Sequence, residues 1–293
     1  MIKDVYYQRG FPDPVLEDDL VLSLVRPFVP KAEKVTSIDE SGGEARTYGI
    51  DGDVILKVQR PQQLRLSTSL AREVFFLKEL EKFDSSISVP RVLGYGKEGT
   101  LEYTVMTRMP GKALRHSDLT DTQRKDFYFE LGKTLRKIHG INCALFHESG
   151  LYPDIDTPQE IKDRFKARFE RVLGWLQNNS NNNISQKDAE SATSQALAIL
   201  ENVPNAEILT PLHSNPGPEH VFVNENGSFS GLIDFGDSYI SHPICDFRST
   251  HVRDRTLVLA GYESEGEICG NFKELWNAAY ALDSLIDVLR NKR

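Results

Sequence analysis

The hydrophobic period of this chain changes at Gly111, and that change limits the folds open to it. Before it, "KVTSIDE", "TYGI" and "DVILKVQ" are short runs rich in β-branched residues, broken by the glycine-bearing "SGGEAR" and "DG". Such side chains suit a pleated surface and glycine suits tight turns, so the pattern predicts an antiparallel meander. "STSLAREVFFLKELEKF" then takes helical spacing, with Leu70, Leu77 and Leu80 on one stripe that also holds Glu73. "VPRVLGYG" and "EYTVMTR" return to strand character, and "MPG" stops them.

After Gly111 the spacing is helical. "TDTQRKDFYFELGKTLRKIHGI" is amphipathic, and "TPQEIKDRFKARFERVLGWLQ" opens with Thr157 as N-cap, Pro158 at the first helical position and Glu160 closing a capping box. The asparagine-rich tract Asn178–Asn183 reads as a loop between two helices. Phe272, Leu275, Ala279, Leu282, Ile286 and Leu289 form a core stripe on a closing helix. One irregular insert, "LHSNPGPEHVFVNENGSFSGLIDFGD", interrupts this half, and no internal repeat is present. The expectation is an α+β chain: a small β-rich lobe over 1–106, a connector at 107–111 and a larger helical lobe over 112–293.

Charge and composition exclude several classes. A net charge of -8 argues against nucleic acid as a partner, because phosphate contacts need clustered Lys and Arg. No apolar run approaches the roughly 20 residues that span a bilayer, and the opening "MIKDVYYQRGFPD" has no apolar core of a secretory signal. Cys143, Cys245 and Cys269 are far apart and without CxxC spacing, which fits a reduced, cytoplasmic chain lacking a disulfide framework or a zinc site. Oligomeric state is not legible.

Chemistry concentrates in two places. In "DVILKVQ", alternation puts Val54, Leu56 and Val58 on one face and Lys57 with Ile55 on the other. Glu73 lies in the apolar stripe of the next helix, where an unpaired carboxylate would be costly. The two would satisfy each other and could hold a nucleotide's α- and β-phosphates, beneath a flexible turn at Gly42 and Gly43. In the insert, "EHVFVN" and "GLIDFGD" read as a hairpin joined through "NENG", carrying His220 at its entrance and Asp234 at its exit. A carboxylate at the end of a buried strand suits Mg²⁺, a hard cation that prefers oxygen.

These residues resemble the aminoglycoside phosphotransferase family, small-molecule relatives of the protein kinases. The family loop H-x-D-x-x-x-x-N, its hairpin ending I-D-[FWY]-G-[DE] and its D-P-x-x-D correspond in position to His213, Asn215, His220 and "IDFGDSYISHPICDF", where His242 stands at the first aspartate of the last pattern. "SGGEARTYG", Lys57, Glu73, "PRVLGYG", "MTRMPGKAL" and "LRKIHGI" fall in family order. The histidine at His220 is similar to that of the aminoglycoside 2''-phosphotransferases and macrolide kinases. The resemblance implies a two-lobed protein-kinase-like fold that uses Mg²⁺ and ATP or GTP to phosphorylate a hydroxyl of a small molecule. That acceptor would be aminoglycoside-like, with antibiotic resistance as the associated role, or of the macrolide, choline or homoserine type. By position it implies that Lys57 holds α/β-phosphates, Glu73 orients Lys57, and the Thr107 carbonyl and Met109 amide meet the purine edge with Met106 behind. His220 and Asp234 would bind Mg²⁺, His213 would shape the loop, Asp246 would brace it, and Asp237 would be a turn residue or a second carboxylate near the metal.

The departure is Asn215, which stands where the family's catalytic aspartate belongs. An amide can hydrogen-bond a hydroxyl but cannot take its proton. Three readings follow: an enzyme whose base has been lost or replaced, one in which Glu219 substitutes, or a catalytically silent nucleotide-binding protein. Pro216 also restricts Asn215 to extended conformations. Glu263, Glu265 and Glu267 in "YESEGE" are either a rim for an amine-bearing acceptor or a solvated loop.

Overall fold

The computed structural model describes residues 15–39, 43–60, 69–99, 101–152, 155–178, 184–268 and 270–291. Gly42, Cys269 and 179–183 of the asparagine-rich tract lie outside the described residues. The elements run α1 (Asp18–Val25), β1 (Val35–Asp39), β2 (Ala45–Ile50), β3 (Val54–Gln59), α2 (Leu70–Phe83), β4 (Val92–Glu98), β5 (Leu101–Thr107) and β6 (Lys112–Ala113). They continue through α3 (Asp121–Ile138), α4 (Cys143–Glu148), α5 (Pro158–Asn178), α6 (Gln186–Glu201), β7 (Thr210–Leu212), β8 (Val221–Val223), β9 (Phe229–Leu232), β10 (Tyr239–Ser241), α7 (Ile244–Phe247), α8 (Val252–Ser264) and α9 (Phe272–Asn291). The architecture is α+β. Packing divides the chain into two units, one reaching Phe127 and adding His213–Ser238, the other Tyr128–Leu212 with Tyr239–Arg293. The units are therefore not contiguous in sequence: the segment 213–238 belongs with the sheet-bearing half.

In the first unit an antiparallel five-stranded sheet has the order β1-β2-β3-β5-β4. The expected meander holds through β3, but the β4–β5 hairpin docks by its second strand, which leaves β4 at the edge. Alternation along β3 sorts its side chains as expected. Val54, Leu56 and Val58 join a core with Val21, Leu22, Val25, Tyr48 and Val105, while Lys57 lies on the opposite face. On α2, Leu70, Glu73, Leu77 and Leu80 are all buried, so one stripe carries three leucines and a carboxylate inward. Strands β6, β8 and β9 form a second, three-stranded sheet in which β8 and β9 are the hairpin read from the sequence.

In the second unit, α5 begins at the expected capping box: Thr157 N–H donates to Glu160 Oε2 at 2.6 Å, and Glu160 N–H to Thr157 Oγ1 at 3.2 Å. Helices α5, α6 and α9 pack on one another, and all six residues of the closing stripe are buried. Around Phe272 an aromatic cluster stacks Tyr262 at 5.5 Å and His242 at 5.7 Å between ring centroids. Glycine sets the crossing of α3 and α8. A Cβ at Gly132 would collide with the Val258 carbonyl, and one at Gly261 with the Phe129 carbonyl, so each helix admits the other's backbone where it has no side chain. Cys143 and Cys245 are free thiols. Among the described residues no helix is long and apolar enough to cross a membrane.

Candidate functional site

Lys57 stands at the centre of the polar groups of the first unit. Its Nζ lies 2.8 Å from Glu73 Oε2 and 2.6 Å from Asp234 Oδ1, joining strand β3, helix α2 and the end of the hairpin. Burial alone would depress the lysine's pKa, but the carboxylates of Asp234 and Glu73 outweigh it and the net shift is upward, so the ammonium stays charged. Glu73 is 1% exposed, and burial raises its pKa against the pull of Lys57. Its second oxygen, Oε1, accepts the Phe235 N–H at 3.3 Å. Asp234 keeps 41% of its side chain exposed, yet the dense protein around it still penalises its charge. Lys57 and then His220 outweigh that penalty and hold the carboxyl well below the usual carboxylate range.

Local structure explains why these groups meet. Ser69 caps α2 through Arg72 N–H at 3.1 Å, and its own N–H reaches the Gly236 carbonyl at 3.4 Å. Phe235 packs on Phe76 at 4.9 Å and on the His213 ring at 4.4 Å. The first turn of α2 and the turn after β9 are thus stitched together by backbone and ring contacts. Asp234 itself sits at φ 72°, a left-handed conformation rare outside glycine, and Ser214 at φ 82°. Such backbone costs about 1–3 kcal/mol per residue and persists only where the surroundings enforce it. Both strained residues fall inside the insert singled out by sequence.

The hydrogen bonds assign the histidine tautomers. Asn215 N–H donates to His213 Nδ1 at 3.3 Å, so Nδ1 is an acceptor and Nε2 carries the proton to the Ile233 carbonyl at 2.9 Å. His213 is fully buried and neutral in that role, and it ties the loop to the hairpin. His220 Nδ1 donates to the Asn215 carbonyl at 2.8 Å, which leaves Nε2 facing Asp234 Oδ2 at 3.3 Å. A ring nitrogen and a carboxylate oxygen thus face one another at a distance that a shared proton or a metal cation can bridge. Among the described residues no group of three or more His, Cys, Asp or Glu could enclose a metal alone. The carboxylate of that pair fits Mg²⁺, which keeps waters and takes one or two carboxylates plus substrate phosphates, whereas the imidazole is a softer donor than Mg²⁺ prefers.

Asn215 is exposed, and its carbonyl accepts both His220 and the Gly217 N–H at 2.8 Å. Glu219 is also exposed, on the turn before His220. Gly43 lies in the bend ahead of β2. Met106 is 4% exposed and pairs across the sheet with Ile55 and Val92. Thr107 pairs with Val54, and its hydroxyl accepts the Arg91 N–H at 2.9 Å. Met109 is buried, with its thioether against Gly231, where any larger residue would strike it. Asp237 is half-buried, three residues beyond Asp234.

The remaining candidates lie in the second unit. Asp246 is fully buried and takes His139 Nε2 at 3.0 Å, while His139 Nδ1 meets Tyr262 Oη at 3.0 Å. Glu263 and Glu267 line a cavity of about 290 Å³ with Ile268, Phe272 and Lys273. Lys273 stands 3.8 Å from Glu263 and Lys133 3.9 Å from Glu265, so two of these carboxylates are balanced within the protein. The sequence reading had missed Phe235, whose amide fixes Glu73, and Ser69, whose cap starts α2; the S-x-x-R spacing carried no sign of the second.

An antiparallel five-stranded sheet, with a strand lysine paired to an inward glutamate of the following helix and to an aspartate of a distant hairpin, is the fold of kinase-like phosphotransferases. The chain belongs to the phosphotransferase enzyme family, whose profile matches residues 35–276. Among solved structures, the GDP and kanamycin complex of APH(2")-IIia is similar at a TM-score of 0.62 and 15% identity, over 92% of this chain and 90% of that one. The streptomycin–ATP–APH(2")-IIa ternary complex is similar at 0.59 and 17%, over 93% and 91%. The apoenzyme of macrolide 2'-phosphotransferase MphH from Brachybacterium faecium is similar at 0.62 and 15%, over 94% of each. At these identities the likeness shows the fold. No curated protein sequence matches the chain.

Proposed function

We propose that this chain is a Mg²⁺-dependent phosphotransferase that moves the γ-phosphate of ATP or GTP to a hydroxyl of a small, aminoglycoside-like molecule, at a rate lowered by Asn215. The observation that carries the reading is Lys57 Nζ held between Glu73 and Asp234, with His220 on the other oxygen of Asp234. Glu73, locked by the Phe235 amide, orients the ammonium, and Lys57 meets the α- and β-phosphates. Gly43 contributes backbone that closes over the phosphates. Thr107 and Met109 offer main-chain groups to the purine edge, with Met106 as the wall behind it.

His220 and Asp234 would hold Mg²⁺, which when bound neutralises the charge developing on the phosphates. The direct Lys57–Asp234 pair keeps that carboxylate ionised in the absence of metal. His213 holds the loop so that Asn215 faces outward, where its amide orients the acceptor hydroxyl. Without a carboxylate at that position the departing proton has no fixed acceptor, and the loss is about 10²–10⁴-fold in rate. Cationic acceptors suit the net charge of -8. The relatives crystallised with kanamycin and streptomycin lend support to that class.

Transfer from Mg·ATP and Mg·GTP to a panel of aminoglycosides, macrolides, choline and homoserine tests this, run on the chain and on Asn215→Asp. Slow transfer that rises in Asn215→Asp supports the reading. A melting temperature raised by Mg·nucleotide, with no transfer from either protein, replaces it with a silent nucleotide-binding function.

A further inference from the structure

We propose that the side chain of Thr107 sets the choice of nucleotide donor: its hydroxyl takes the Arg91 N–H, which frees the Thr107 carbonyl for the amino group of adenine and makes ATP the preferred substrate over GTP. The inference rests on the phosphotransferase reading above and concerns its purine edge alone.

The hydrogen bonds at the end of β5 carry it. Arg108 N–H reaches the Asp53 carbonyl at 2.7 Å, so Arg108 serves the β3 side of the strand. Thr107 N–H reaches the Arg91 carbonyl at 2.9 Å, so Thr107 serves the β4 side, one position beyond the Val92–Met106 pair. Residues opposed in this way in an antiparallel ladder exchange both of their N–H···O=C bonds. Here the return bond is diverted, because Arg91 N–H donates to Thr107 Oγ1 at 2.9 Å. Among the described residues, the Thr107 carbonyl is left without a hydrogen-bond partner, and so is the Met109 N–H two positions on. Thr107 is half-buried and Met109 buried, where main-chain groups are nearly always paired.

What remains at the strand end is an acceptor followed by a donor. Adenine presents the complementary edge, with its N6 amino group donating and N1 accepting. Guanine presents the reverse, an O6 acceptor and an N1–H donor, which sets oxygen against the carbonyl and hydrogen against the amide. If guanine slides until O6 meets the Met109 N–H, the Thr107 carbonyl is stranded without a donor. Leaving a site's own polar group unpaired costs more than lacking one attraction. The hydroxyl is thus a positioning group, acting through the carbonyl that it releases. A side chain without it returns that carbonyl to the Arg91 N–H and removes the distinction between the two bases.

Calorimetric titration of the full chain with Mg·ATP and with Mg·GTP tests this. The comparison proteins are Thr107→Val, which keeps the shape of the side chain and removes the oxygen, and Thr107→Ser, which keeps the oxygen. The chain should bind ATP about tenfold or more tightly than GTP. Thr107→Val should weaken ATP by about that factor while leaving GTP within about twofold, and Thr107→Ser should bring the split back. A purely structural role for the hydroxyl would weaken both nucleotides alike. Equal affinities in the chain, or equal losses in Thr107→Val, overturn the inference and leave the phosphotransferase reading standing. Binding of neither nucleotide by the chain overturns both. Should Thr107→Val fail to fold, Thr107→Ala, which also removes the oxygen, gives the same comparison.

Discussion

Removing the ammonium of Lys57 should expose how tightly the polar centre is coupled. Lys57→Met leaves Glu73, 1% exposed, without its cation and within the field of Asp234, which also loses its partner. Breaking a buried pair from one side costs about 3–5 kcal/mol, and the 16% exposure of Lys57 places the expected loss near the lower end, about 3 kcal/mol. Glu73→Gln added to it removes the orphaned charge while its amide oxygen can still accept the Phe235 N–H, so the double variant should recover about 2 kcal/mol. The pH dependence follows from the raised pKa of Glu73, set first by burial. A carboxyl that binds its proton more tightly when folded stabilises the fold at low pH and loses that contribution as pH rises. Lys57→Met should therefore be weakest at pH 8 and recover toward pH 5, whereas the double variant should show little of that slope. Urea melts of the four proteins at both pH values give the cycle. Additivity within about 0.5 kcal/mol, together with parallel pH profiles, would refute the coupling. Nucleotide binding should fall in every variant lacking Lys57, whatever its stability.

Asp234→Asn should abolish the Mg²⁺ dependence of nucleotide binding while leaving the melting temperature without nucleotide within a few degrees; calorimetry with and without Mg²⁺ checks this. His242 is fully buried with Nε2 unpartnered, and burial, then His139, push its pKa down to about 3. Its contribution is complete above the ordinary histidine pKa of about 6.5 and falls by about 1.4 kcal/mol per pH unit below it, so acid melts should show a slope that His242→Phe flattens. Gly261→Ala, which drives a methyl into the Phe129 carbonyl, should cost about 1–3 kcal/mol by urea melt, and an unchanged midpoint would mean that α3 and α8 part freely.

Much of the architecture was legible because local periodicity says which face of an element is apolar. The two-residue alternation of β3 placed Lys57 opposite Val54, Leu56 and Val58. The helical stripe of α2 turned Glu73 inward, and the Thr157–Glu160 box opened α5. The hairpin was readable too, and with it the meeting of His220 and Asp234 at one end. These features arise within a few residues of one another, where spacing alone decides geometry. Tertiary structure decided the rest. The bond from Lys57 to Asp234 spans 177 positions. The left-handed backbone of Asp234 and Ser214, the single tautomer of His213 and the insertion of β5 between β3 and β4 likewise leave no periodic trace. Each is the outcome of remote segments competing for the same space and the same hydrogen bonds, a contest that is settled only when the chain has closed on itself.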